Sequence, residues 1–121
     1  MSSETAIILH GNEWELSDIE GIVWMCQQRA WTNREWRLSP ALVSKDHLSY
    51  RPYFGEEYDP ELWDLAPHGW DHDHCAICLW TLTVSDDPNE STGWTNEDHT
   101  WLCNECYEKL IRPQMAAENE L

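Results

Sequence analysis

Positive charge is scarce in this chain: 7 Lys and Arg stand against 23 Asp and Glu, a formal net charge of −16. A field of that sign repels phosphate backbones, so direct nucleic-acid binding is not expected, and it attracts basic proteins instead. Long apolar runs are missing as well, and no stretch approaches the roughly 20 residues that cross a bilayer. Met1-Ser2-Ser3-Glu4 carries no basic residue and Ala6-Ile7-Ile8-Leu9 is too short for an export core. The chain is therefore expected to be cytoplasmic, where thiols stay reduced and prefer a metal to a disulfide. No internal repeat is visible, and 121 residues suffice for one domain but not for two independent cores.

What is present is dominated by cysteine and tryptophan. Cys75-Ala76-Ile77-Cys78 and Cys103-Asn104-Glu105-Cys106 are two Cys-x-x-Cys pairs, separated by the stretch from Leu79 to Leu102. Thiolates three positions apart face one ion when the backbone turns between them, and two such pairs supply the four sulfurs of a tetrahedral zinc site. Paired disulfides are the alternative, and they need an oxidising compartment. Four cysteines leave no coordination position for water or substrate, so the ion expected here, one zinc, is structural. It adds to the acidity, because four thiolates outweigh one divalent ion by about two charges. Cys26 stands apart on an apolar helical face, where a small buried hydrophobe is the better reading than a fifth ligand or a nucleophile.

Nine tryptophans are many for this length. They provide apolar area for a small core, and their number places several near the surface, where they can anchor a partner. Trp31, Trp36, Tyr53, Phe54 and Trp63 are the candidates outside the metal region, with Asp86, Asp87, Glu97 and Asp98 on polar loops supplying the field.

The pattern predicts an α+β fold in a single domain over 1–121. Residues 1–69 are expected to form a hairpin and helices packed on a zinc module at 70–112, with an acidic tail at 113–121. Thr5–Leu9 and Glu13–Leu16 read as strands around a His10-Gly11-Asn12 turn. Ser17-Asp18-Ile19-Glu20 reads as a capping box ahead of a helix whose buried face is Ile19, Ile22, Val23 and Cys26. Trp31 to Leu38 suits a strand or connector. Ser39-Pro40 reads as a helix opening, with Ala41 to Leu48 as its body. Tyr50 to Gly69 is an ordered aromatic segment, with one helical turn near Asp59-Pro60. Leu79–Val84 is a strand, Ser85–Gly93 a polar loop, and Trp94 to Leu102 a hairpin across Asn96-Glu97-Asp98. A short helix follows Cys106. A Cys pair in a knuckle, strands, and a Cys pair at a helix start are the order of a treble-clef-like zinc module.

Trp70-Asp71-His72-Asp73-His74-Cys75-Ala76-Ile77-Cys78, followed by Trp101-Leu102-Cys103-Asn104-Glu105-Cys106-Tyr107, resembles a group of small, mostly uncharacterised bacterial proteins. They share a Trp-Asp-His-x-His-Cys-x-x-Cys and Trp-x-Cys-x-x-Cys-Tyr pattern, and some look like immunity proteins of interbacterial toxin systems. The resemblance covers about Trp70 to Ile111 and implies Cys75, Cys78, Cys103 and Cys106 as ligands. High negative charge, small size, a rigid metal core and many aromatics suit an acidic protein-binding inhibitor, an immunity protein or antitoxin that blocks a basic toxin. A zinc-stabilised interaction module with another partner is the alternative. A nuclease-like enzyme is remote, because histidine-metal nucleases on such scaffolds place the catalytic histidine between the Cys pairs, where only His99 lies here. A zinc deaminase needs His-x-Glu ahead of its Cys pair, and His72-Asp73-His74 lacks it. His72 and His74 are expected to support the site from behind the sulfurs, oriented by Asp71 and Asp73, unless His74 itself replaces a sulfur.

Overall fold

In the computed structural model, which describes residues 5–113, the chain opens on a tight hairpin. Strands β1 (Ala6–Leu9) and β2 (Asn12–Glu15) pair antiparallel, Leu9 opposite Asn12. His10 and Gly11 make the connection at φ of 51° and 78°. Two successive left-handed residues twist the turn to match the strands, and glycine takes one of them without strain.

β2 runs straight into helix α1 (Leu16–Gln27), whose N-cap is Glu15 with no side-chain cap bond. The capping box expected at Ser17 is therefore not used. Because strand and helix abut, Ser17 already lies inside the first turn and cannot cap it. The buried face is as the apolar spacing predicts, with Ile19, Val23 and Cys26 inside and Ile22 packed at the margin.

Strand β3 (Thr32–Glu35) leaves the helix and joins two later strands, β9 (Thr92–Thr95) and β10 (Trp101–Leu102), in the order β10-β9-β3. This stitches the N-terminal half to the cysteine-bearing half, with Asn33 opposite Trp94. A Cβ on Gly93 would lie 2.7 Å from the Leu102 carbonyl oxygen, so glycine lets β10 close on β9.

The helix expected over Ala41 to Leu48 is a strand instead. β4 (Ser39–Ser44) is the centre of a second sheet, between β5 (Tyr50–Pro52) and β6 (Trp63–Trp70). Ala41 and Leu42 are adjacent and both fully buried. A central strand covered on both faces buries neighbouring residues in this way. The register slips between Ser39 and Ala41, so Pro40 sits at a bulge, where its missing N–H costs no ladder bond.

The remaining elements surround the cysteines. β7 (His72–His74) pairs with β8 (Thr81–Thr83), and the polar loop beyond contains one helical turn, α2 (Pro88–Ser91), capped by Asp87 accepting from the Asn89 amide. Helix α3 (Asn104–Cys106) continues into a π-helical turn over Tyr107–Ile111. The domain is thus small and single, of helices and strands with sheet predominating. Its main core joins Leu9, Ile19, Val23 and Cys26 to Cys75, Ile77, Leu102, Cys103, Cys106 and Ile111. The acidic tail expected at 113–121 lies, apart from Pro113, outside the described residues. Among the described residues no helix is long and apolar enough to cross a membrane.

Candidate metal centre

The first pair sits where β7 turns back into β8. Cys75 and Cys78 bracket a tight turn in which the Leu79 amide donates to the Cys75 carbonyl and the Cys75 amide donates to the Trp80 carbonyl, at 2.9 and 2.8 Å. Leu79 takes φ of 67° to close the turn. The second pair sits at the start of α3. Cys103 is its N-cap, and the Cys106 amide donates to Cys103 Sγ at 3.4 Å. The Ile77 amide does the same for Cys75 Sγ, also at 3.4 Å. Each pair therefore points sulfur inward and aims a backbone N–H at it.

Together the four Sγ atoms lie within 4.8 Å of one another, and Cys78 Sγ is 3.6 Å from Cys103 Sγ. A tetrahedron with metal–sulfur bonds of about 2.3 Å has edges of about 3.8 Å, so the cluster fits a single four-coordinate ion. Cys75, Cys103 and Cys106 are each 0% exposed, and no disulfide links any of the five cysteines. Thiols this close perturb one another strongly. Hydrogen bonding from Cys103, then Cys106 and Cys78, draws Cys75 far below its usual value, while bonding with Cys103, Cys75 and Cys78 drives Cys106 far above it. A cation is what would let all four ionise together.

The ring that touches a sulfur is one that no sequence motif marks. His10 Nε2 is 3.2 Å from Cys103 Sγ, where an imidazole N–H donates to a thiolate. The His10 amide donates to Glu105 Oε2 at 2.7 Å, and its ring stacks on Trp80 at 3.7 Å and 5°. Lys109 Nζ completes the arrangement by donating to Glu105 and to the Ile8 carbonyl. The hairpin turn is thus fastened to the helix that carries Cys106. His10 is 93 residues from Cys103 in the chain, and only the folded chain brings them together.

The expected supporting histidines sit differently. His74 Nδ1 lies 3.2 Å from the Leu79 carbonyl, on the backbone of the first turn, and is not among the clustered donor atoms. His72 pairs with Asp71 at 2.8 Å and has no bond to a sulfur. Asp73 orients neither ring and instead accepts from Trp36 Nε1 at 2.9 Å. Trp36 is 2% exposed, which corrects its reading as a surface anchor: its indole is core, held by that bond. Trp63 is half-buried under the Arg51 guanidinium. Of the loop acids, Asp86 and Glu97 are exposed, Asp87 caps α2 and Asp98 pairs with Arg29.

Cys26 is 3% exposed, and burial, then the nearby Cys75, pushes its thiol up to about 11. A thiol raised in this way is neutral at physiological pH, and Cys26 is not among the four cysteines whose sulfurs cluster. Cys26→Ala should leave the metal stoichiometry unchanged and lower stability by about 1–2 kcal/mol from lost packing. Elemental analysis and urea unfolding check the two halves of this expectation.

Leu79 offers a second check. It is 66% exposed, so its side chain contributes little packing, yet its backbone occupies the left-handed region. Such a conformation costs a non-glycine residue about 1–2 kcal/mol, partly offset by the greater freedom glycine has when unfolded. Leu79→Gly should therefore raise stability by about 1 kcal/mol, read as a higher denaturation midpoint at unchanged slope.

Comparison of the chain with family models, with curated proteins and with solved structures returns no match.

Proposed function

We propose that Cys75, Cys78, Cys103 and Cys106 hold one structural zinc ion in a treble-clef module, and that the chain is an acidic, zinc-stabilised inhibitor of a basic protein. The observation that carries the metal assignment is the cluster of four sulfurs within 4.8 Å of one another, on three buried cysteines and the partly buried Cys78. The element order supports the module: a Cys turn between β7 and β8, the β9-β10 hairpin, then a Cys pair at the start of α3. When bound, zinc would supply charge neutralisation and a crosslink between the two Cys pairs, and no catalysis, because all four positions are filled by sulfur.

The inhibitor reading rests on charge and on the resemblance to immunity-like proteins. A net charge of −16 steers a basic partner and raises its association rate, while like-charged surfaces are excluded. Asp86 and Glu97 stand exposed on separate loops, free to contribute to that field. Four reduced thiols holding a metal suit the cytoplasm as the place of this activity.

The test is kinetic and uses the protein that a pull-down with this chain returns. Association should slow by tenfold or more as salt rises across the physiological range, and Asp86→Lys with Glu97→Lys should slow it at low salt without unfolding the protein. An on-rate indifferent to both would remove the electrostatic basis of this reading.

A further inference from the structure

Independently of the metal and of any protein partner, we infer that the cleft between the two three-stranded sheets is a binding site for a small planar carboxylate. The cleft encloses about 710 Å³, within the roughly 300–1,000 Å³ typical of small-molecule sites. β3 forms one wall, and the ends of β5 and β6 with β10 form the others. Phe54, Trp70 and Trp101 line it with aromatic surface, and the buried Trp36 lies at its base. Aromatic walls favour a flat apolar body, and Phe54, 57% exposed and stacked on the His99 ring at 4.0 Å, stands at the rim where such a body would enter.

The polar group that selects the ligand's charge is Arg34. Of the seven cationic side chains, Arg29, Arg37, Lys45, Lys109 and Arg112 each pair with a carboxylate. Arg51 lies over the Trp63 ring. Arg34 alone, among the described residues, has neither an acidic nor an aromatic partner, although carboxylates outnumber cations more than threefold in the chain. It lies on β3 and lines this cleft as well as the neighbouring hollow beside Asn96. A guanidinium presents a planar fork of donors that matches a carboxylate edge-on.

The acidity of the chain does not defeat this. Two guanidiniums, Arg34 and Arg37, face two carboxylates, Glu35 and Asp73, so the lining is balanced by count while the whole chain carries −16. Asp73 is further engaged by the Trp36 indole N–H and Arg37 by Glu35, which leaves Arg34 as the unmet charge. Glu97 and Asp98 line the neighbouring hollow, where Asp98 is taken by Arg29, and carboxylates beyond about 8 Å are screened at physiological ionic strength.

The experiment uses the full metal-loaded chain with phenylacetate and its uncharged isostere phenylacetamide, followed by isotope-edited NMR of the indole N–H groups. The expected result is saturable shifts at Trp36, Trp70 and Trp101, with the anion binding at least tenfold more tightly than the amide. Arg34→Gln should abolish that preference while leaving amide affinity within about twofold, since the exposed side chain holds nothing else in the fold. Phe54→Ala should weaken both probes, and unchanged melting midpoints confirm that each variant is folded. Equal affinity for anion and amide, a preference that survives Arg34→Gln, shifts confined to other indoles, or no saturation at millimolar probe would each overturn the assignment.

Discussion

Replacing Cys103 with serine, or stripping the metal with a strong chelator, is expected to collapse the C-terminal half of the chain. The physical reason is the scale of the terms. Structural zinc on cysteine contributes on the order of 10 kcal/mol of apparent free energy at neutral pH, comparable to the whole net stability of a typical domain. Cys103 is the most connected of the four. It caps α3, receives the Cys106 amide, lies 3.6 Å from Cys78 Sγ and faces His10 Nε2. Its loss would remove a ligand and release the hairpin that His10 and Glu105 fasten to the helix. Circular dichroism and urea unfolding, with and without chelator, measure the effect. A melting curve unchanged by chelation would show that packing alone sustains the fold.

The next largest effect is expected at Trp36. Its side chain is 2% exposed, its amide donates to the Ser91 carbonyl at 2.7 Å, and its indole N–H donates to Asp73 at 2.9 Å. Trp36→Ala should cost about 3–5 kcal/mol, because the large cavity cannot fully collapse and Asp73 loses its donor. Trp36→Phe keeps much of the volume and removes only the bond, so about 1–2 kcal/mol is expected there. Comparable losses in the two variants would place the stabilisation in the hydrogen bond rather than in packing.

The features that were legible in sequence are those set by local chemistry. Alternation and the His10-Gly11 turn reveal the first hairpin, and the 3.6-residue spacing of Ile19, Val23 and Cys26 reveals α1. The cysteine spacing marks the four residues whose sulfurs the fold brings together. Elsewhere two structures compete for one pattern. Ser39-Pro40 has the chemistry of a helix start, yet β5 and β6 flank the segment and make it a strand. β6 is hidden in sequence by Pro67, which a strand tolerates here because it lies at the sheet edge, and by Gly69, where a Cβ would lie 2.6 Å from the Ala66 Cβ. His10 illustrates a deeper limit. As a residue it signals only a turn, and its place against Cys103 is created by strand pairing and helix docking that no local window contains.

The measurement closest to the central claim is native mass spectrometry of the purified chain, with elemental analysis to identify the ion. One zinc per chain is expected in the wild type and in Cys26→Ala, and none in Cys103→Ser. A folded wild-type chain that carries no metal, or a Cys26→Ala variant that loses it, would contradict the four-cysteine zinc centre.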